Sequence, residues 1–190
     1  KNGVGQFNLG GANTYSGPTT VNAGELWLFN NSALGTAAGN TVVAAGAAIY
    51  LTNTITIATE PLDLAGELEA GGAITAAWNG PISLTAATAA LATDAAADTL
   101  SVGGVISGAQ PLAINGPGNV VLSATNTYSG LTTVTGTTLT VNGTIGAVDL
   151  AGGATLEGIG TVGVVTAATG TTIAPGNSPG ILNTGNFTPS

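Results

Sequence analysis

The sequence contains no cysteine, methionine, histidine or arginine, and its only basic side chain is Lys1. Each absence removes a class of chemistry. Without cysteine there is no disulfide framework, no thiolate zinc site and no cysteine nucleophile. Without histidine the commonest general base and the commonest metal ligand are missing. One cation stands against nine Asp and Glu, giving a formal net charge of −8. A phosphate-binding groove depends on cationic contacts, so nucleic acid is excluded as a partner. An anionic membrane surface is disfavoured on the same ground, and beyond Lys1 the chain offers trypsin no site. Charged residues make up 5% of the chain, against roughly 25% in ordinary soluble domains. No apolar stretch approaches 20 residues, so no segment of this chain is expected to insert as a membrane helix.

Glycine, alanine and threonine fill the space that charge leaves, with 31 glycines among 190 residues. Short alternating runs recur throughout: Leu26-Trp27-Leu28, Ile49-Tyr50-Leu51, Leu62-Asp63-Leu64, Ile82-Ser83-Leu84, Leu100-Ser101-Val102 and Leu139-Thr140-Val141. Each puts two aliphatic side chains on one face and a different residue on the other, the period of a half-buried strand. Turn signals separate them, among them Asn79-Gly80, Gly103-Gly104, Asn115-Gly116 and Asn142-Gly143. The segment Thr85 to Asp98 is alanine-rich and locally favours helix. Threonine interrupts it and no helical apolar stripe appears, so it is read as a further coil with a small-residue interior, a short helix being the alternative.

Asn13-Thr14-Tyr15-Ser16-Gly17 returns at Asn126-Thr127-Tyr128-Ser129-Gly130. Turn, β-branched run, second turn and alternating strand follow in the same order after both. Recurrence of one supersecondary unit points to a solenoid. Very short strands, turns every 8–12 residues and pieces recurring tens of residues apart favour a parallel β-helix over an antiparallel sandwich or barrel. At roughly 20 residues per coil the chain makes about nine coils, and at about 4.8 Å per coil the rod is roughly 40–45 Å long. Residues 1–190 are expected to form one β-helical domain with repeat-like units near 1–52 and 112–157. A chain that starts inside a repeat and lacks methionine is expected to be a mature fragment or an excised domain.

Two arrays carry a family resemblance. The first is Gly3-Val4-Gly5, Phe7, Leu9, Asn13 to Gly17, Thr20-Val21, Gly24 and Leu26. The second is Gly116-Pro117-Gly118, Val120, Leu122, Asn126 to Gly130, Thr133-Val134, Gly136 and Leu139. They resemble the autotransporter-associated β-strand repeat of bacterial autotransporter passenger domains. The tail from Ile173 to Gly180 is also similar to passenger segments. The resemblance implies a right-handed, all-β parallel β-helix. It also implies an extracellular or bacterial cell-surface location, with export through an outer-membrane barrel that is not in this chain.

Candidate sites are few. Asn13, Tyr15, Gly17 and their counterparts Asn126, Tyr128 and Gly130 are read as structural corners, Asn and Gly accepting the positive φ of tight turns. Aligning the two repeats sets Trp27 and Phe29 where Thr140 and Asn142 stand, on the outside, and Tyr50 is outward by the same alternation. Trp27, Phe29 and Tyr50 are therefore expected to form an exposed aromatic patch and a partner contact. Glu60, Asp63, Glu67 and Glu69 are the densest acidic cluster. Oxygen ligands suit calcium, but no calcium-loop pattern is present, and solvated charges that maintain solubility are the preferred reading. Paired carboxylates could cleave polysaccharide, yet little remains here to bind an acidic sugar. Thr-x-Thr patterns suggest ice-binding solenoids, yet Asp63, Ser83, Ser101 and Ala113 interrupt the array.

The expected function is non-enzymatic: an extracellular structural or adhesive β-helix, acting as a passenger or stalk segment in attachment or aggregation. The alternative is a subunit of a filament built by end-to-end stacking of open β-helix ends. No cofactor or metal is expected. The expected partners are a second copy, meeting end to end or laterally, or a surface glycan or protein.

Overall fold

In a computed structural model, which describes residues 1–176 and 180–189, every regular element is a β-strand and every strand pairing is parallel. The strands stack into a β-solenoid of about nine turns. Three walls follow one another along the chain, and the order I, II, III repeats in each full coil. Wall I is a ten-stranded sheet running from Gln6–Leu9 to Phe187–Pro189. Wall II has seven strands, from Thr56–Ile57 to Thr172–Pro175. Wall III is a five-stranded sheet from Thr19–Val21 to Ile106–Ser107, continued by a three-stranded sheet that begins at Thr144–Ile145.

Alternation builds the core. On wall I the inward column runs Leu26, Ile49, Leu68, Leu91, Ile114, Val134 and Leu150, each in register with the next. All seven are buried. Wall II contributes Leu100, Val120, Leu139 and Leu156 in the same manner. Near-identical side chains thus stack at the strand spacing of about 4.8 Å. Coil length is elastic, from 16 residues (Thr132 to Val148) to 24 (Ile82 to Ile106), because corners absorb the difference while register holds.

The alanine-rich segment is a coil, as its interrupting threonines predict. Ala90–Thr93 is a wall I strand whose four residues are all buried. Trp78, which no sequence argument singled out, is fully buried on wall II between Ile57 and Val102. Its indole N–H has no hydrogen-bond partner, which costs about 1–3 kcal/mol.

Glycine serves the corner between walls II and III by its size. A Cβ on Gly104 would collide with the carbonyl of Gly80, and one on Gly80 with the backbone of Glu60. Neither residue has a positive φ. Stacked corners leave no room for a side chain, which is a different reason from the conformational one expected.

Charge is spaced by the register. Down one outer column of wall I the order is Glu25, Ala48, Glu67, Ala90, Ala113. Alanine keeps the two carboxylates from facing each other across adjacent strands, where like charges are destabilising. Asp63 lies between Val42 and Ser83, and Asp149 between Thr133 and Thr166.

Candidate functional site

The two Asn-Thr-Tyr-Ser-Gly segments are corners, but they sit on different walls. In the first copy Gln6–Leu9 lies on wall I, Thr19–Val21 on wall III and Gly24–Leu28 on wall I again. Asn13 to Gly17 stands where a wall II strand would run. In the second copy Asn119–Leu122 lies on wall II, Thr132–Thr135 on wall I and Thr138–Val141 on wall II. Here the corner replaces a wall III strand. The unit is therefore rotated by one wall between copies. In both, its first and last strands stack directly, Phe7 on Leu26 and Val120 on Leu139. The repeat encodes one closed coil, whichever wall it starts from.

Local chemistry is the same in both corners. Tyr15 and Thr19 share a hydroxyl hydrogen bond of 2.6 Å, and so do Tyr128 and Thr132. The Asn13 side-chain amide donates to the Ala33 carbonyl, and that of Asn126 to Ala124 and Thr144. Burial separates the copies: Tyr15 is 38% exposed and Tyr128 only 4%. Tyr128 belongs to the hydrophobic core, and burial pushes its phenol up to about 12, against the bond to Thr132. Gly130 approaches the Gln110 carbonyl too closely for a side chain, whereas Gly17 faces open space.

The expected aromatic patch is assembled by register. Trp27 pairs with Tyr50 on the neighbouring strand of wall I. Their rings stack at 4.6 Å with an interplanar angle of 11°. Phe29 stacks on Trp27 at 6.4 Å. All three are outward and only partly exposed, because ring covers ring. The Trp27 indole N–H donates to Glu25 Oε2 at 2.9 Å.

Glu69 follows Tyr50 in the same column, and the Tyr50 hydroxyl interacts with its carboxylate. Burial raises the Glu69 pKa to about 7; the tyrosine opposes the shift, and Glu67, Asp94 and Glu25 add to it. The Tyr50 phenol is pushed up by burial and by Glu69.

The acidic cluster does not survive as one. Glu60 lies at the corner between walls II and III, where Thr41 Oγ1 donates to it at 2.7 Å. Asp63 is on wall III and accepts from the Asn40 amide at 2.6 Å. Glu67 and Glu69 are on wall I. The expectation of solvated charges is corrected at two of the four: Glu60 is 6% and Glu69 7% exposed. Each is met by a side chain from another coil, Thr41 at Glu60 and Tyr50 at Glu69, which spacing along a strand does not reveal. Among the described residues no three His, Cys, Asp or Glu side chains converge on a metal-binding geometry. In the tail motif Asn177, Ser178 and Pro179 lie outside the described residues.

Residues 1–28 and 115–141 match the family model of the passenger-associated-transport-repeat. Two segments of the chain, about 29% of its residues, are thus similar to this repeat. Both contain one of the rotated coils above, from the strand before the tyrosine corner through the strand that stacks on it. No curated protein and no solved structure matches the chain significantly. The repeat and the parallel solenoid fit an autotransporter passenger, and the repeat family implies an extracellular or cell-surface location.

Proposed function

We propose that the chain is a non-enzymatic structural and adhesive segment of an exported bacterial surface protein, carried outward through an outer-membrane barrel that lies outside residues 1–190. The observation that carries this reading is the pair of segments similar to the passenger-associated-transport-repeat, built into a parallel solenoid. A rod with one sheet continuous from its first strand to its last is a stiff spacer. Its departure from the repeat, the Trp27, Phe29 and Tyr50 stack, is the contact it presents to glycan or protein on another surface. Displaying the chain on a bacterial surface and counting attached or aggregated cells tests this. Attachment should exceed that of cells without the chain, and replacing the three rings together by threonine should remove the excess. Folded, displayed protein that gives no attachment would reject the adhesive role.

A filament subunit is the second reading. Gln6–Leu9 and Phe187–Pro189 are the two edge strands of the same sheet, and Phe7 and Phe187 are each 52% exposed there. Open parallel edges can stack head to tail, and such a contact does not close. Linear polymers in micrographs of purified protein would support it, and a concentration-independent monomer would exclude it.

A further inference from the structure

A groove of about 650 Å³ runs across the coils on the outer face of wall I. Ala48, Ala90 and Ala113 form its floor, Glu25 and Glu67 stand in the same column, and Tyr50 flanks it. The floor is recessed: Ala90 faces outward yet is only 8% exposed, and its neighbour Ala92 5%. We propose that this groove docks a linear glycan bearing free amino groups.

The charge argument comes first. Glu25 and Glu67 are carboxylates on a concave face, and Lys1 is the only base in the sequence. Lys1 Nζ is bound to the carbonyls of Gly3 and Ala23, and among the described residues Glu67 has no hydrogen-bond donor. Burial raises its pKa, so an ammonium group brought beside it would recover lost solvation. The complement of this face is a cation.

Shape selects the carrier. Glu25 and Glu67 are separated by Ala48, hence by two strand spacings, roughly 9–10 Å. An extended sugar chain presents equivalent positions on alternate rings at a similar interval. An amine borne directly on a ring stays close to the ring plane. Such a chain can lie on the alanine floor while its ammonium groups reach both carboxylates. A lysine ammonium ends a four-carbon stem, which would hold a peptide backbone off the floor and leave the alanines wet.

The proposal deepens the adhesive reading and rests on it, but purified protein tests it without cells, so the two can fail separately. Calorimetry would compare a glucosamine hexamer, its fully N-acetylated counterpart and hexalysine in mildly acidic, low-salt buffer. The expected result is binding of the glucosamine hexamer alone, weakened by added salt. Glu67→Gln should weaken it about tenfold, the scale of one charge-assisted hydrogen bond. Ala113→Phe, which fills the floor, should abolish it, and Ser83→Ala on wall III should leave it unchanged. Unaltered thermal midpoints would show that the variants fold. Equal binding of hexalysine, indifference to both groove variants, or no binding of the hexamer would each overturn the proposal.

Discussion

At the scale of single residues, the same chemistry has different weight in different coils. The Tyr128 hydroxyl is the partner of Thr132, which is fully buried. Tyr128→Phe leaves that threonine oxygen unpaired and should cost about 1–2 kcal/mol in chemical denaturation. Tyr15→Phe removes an identical but exposed bond and should shift the same measurement by less than about 0.5 kcal/mol. Gly104 is a steric case. Gly104→Val forces a side chain into the Gly80 carbonyl and should cost at least about 3 kcal/mol, or prevent folding.

Glu69 sets a pH dependence. Its folded pKa, about 7, lies above its ordinary value of 4.5 because burial disfavours the charge. Between those values the folded chain binds more protons than the unfolded one, so stability falls as pH rises through that window. Urea midpoints should be higher at pH 5 than at pH 8, with Glu69 supplying roughly 1–3 kcal/mol of the difference. Glu60 and Glu67, also raised by burial, add in the same direction. Glu69→Gln should flatten the profile and stabilise the chain at pH 8.

At the scale of elements, inward and outward positions on one strand should respond differently. Trp27→Thr installs the residue that the second repeat has at Thr140. It removes two ring contacts from the outer face, so the chain should fold with a loss of about 1 kcal/mol. Leu26→Thr, one residue away and buried, should cost about 2–5 kcal/mol. Comparable losses from both would contradict the orientation of the strand. These faces were legible beforehand because alternation has a period of two and the runs around Leu26, Ile49 and Leu139 are unambiguous. The corners were legible as turns but not as to cause. Asn-Gly signals a bend, whereas the collision at Gly80 and Gly104 exists only once coils are stacked.

At the scale of the whole molecule, each coil is a replaceable unit in register with its neighbours. Ala113 pairs with Thr133. Deleting residues 113–132 therefore removes one full coil, and Thr133 inherits the place of Ala113. This deletion should leave a shorter, cooperatively folded solenoid by circular dichroism and thermal melting. Deleting 113–122 removes about half a coil, throws inward residues onto the wrong walls and should abolish folding. The rotation of the repeat by one wall rests on the same property. A unit that closes one turn has no preferred starting wall.

Composition, alternation and the duplicated tyrosine corner determined the solenoid, its coil number and its outward aromatic residues. These follow from local periodicity and from recurrence, which the chain states in one dimension. Tertiary stacking decided the rest. It placed the two repeats on different walls and buried Tyr128 while leaving Tyr15 partly open. It also withdrew Glu60 and Glu69 from solvent and aligned Glu25 with Glu67 over an alanine floor. Each of those outcomes depends on which residue of another coil lies one strand spacing away. Coil length varies from 16 to 24 residues, so sequence distance alone does not supply that neighbour.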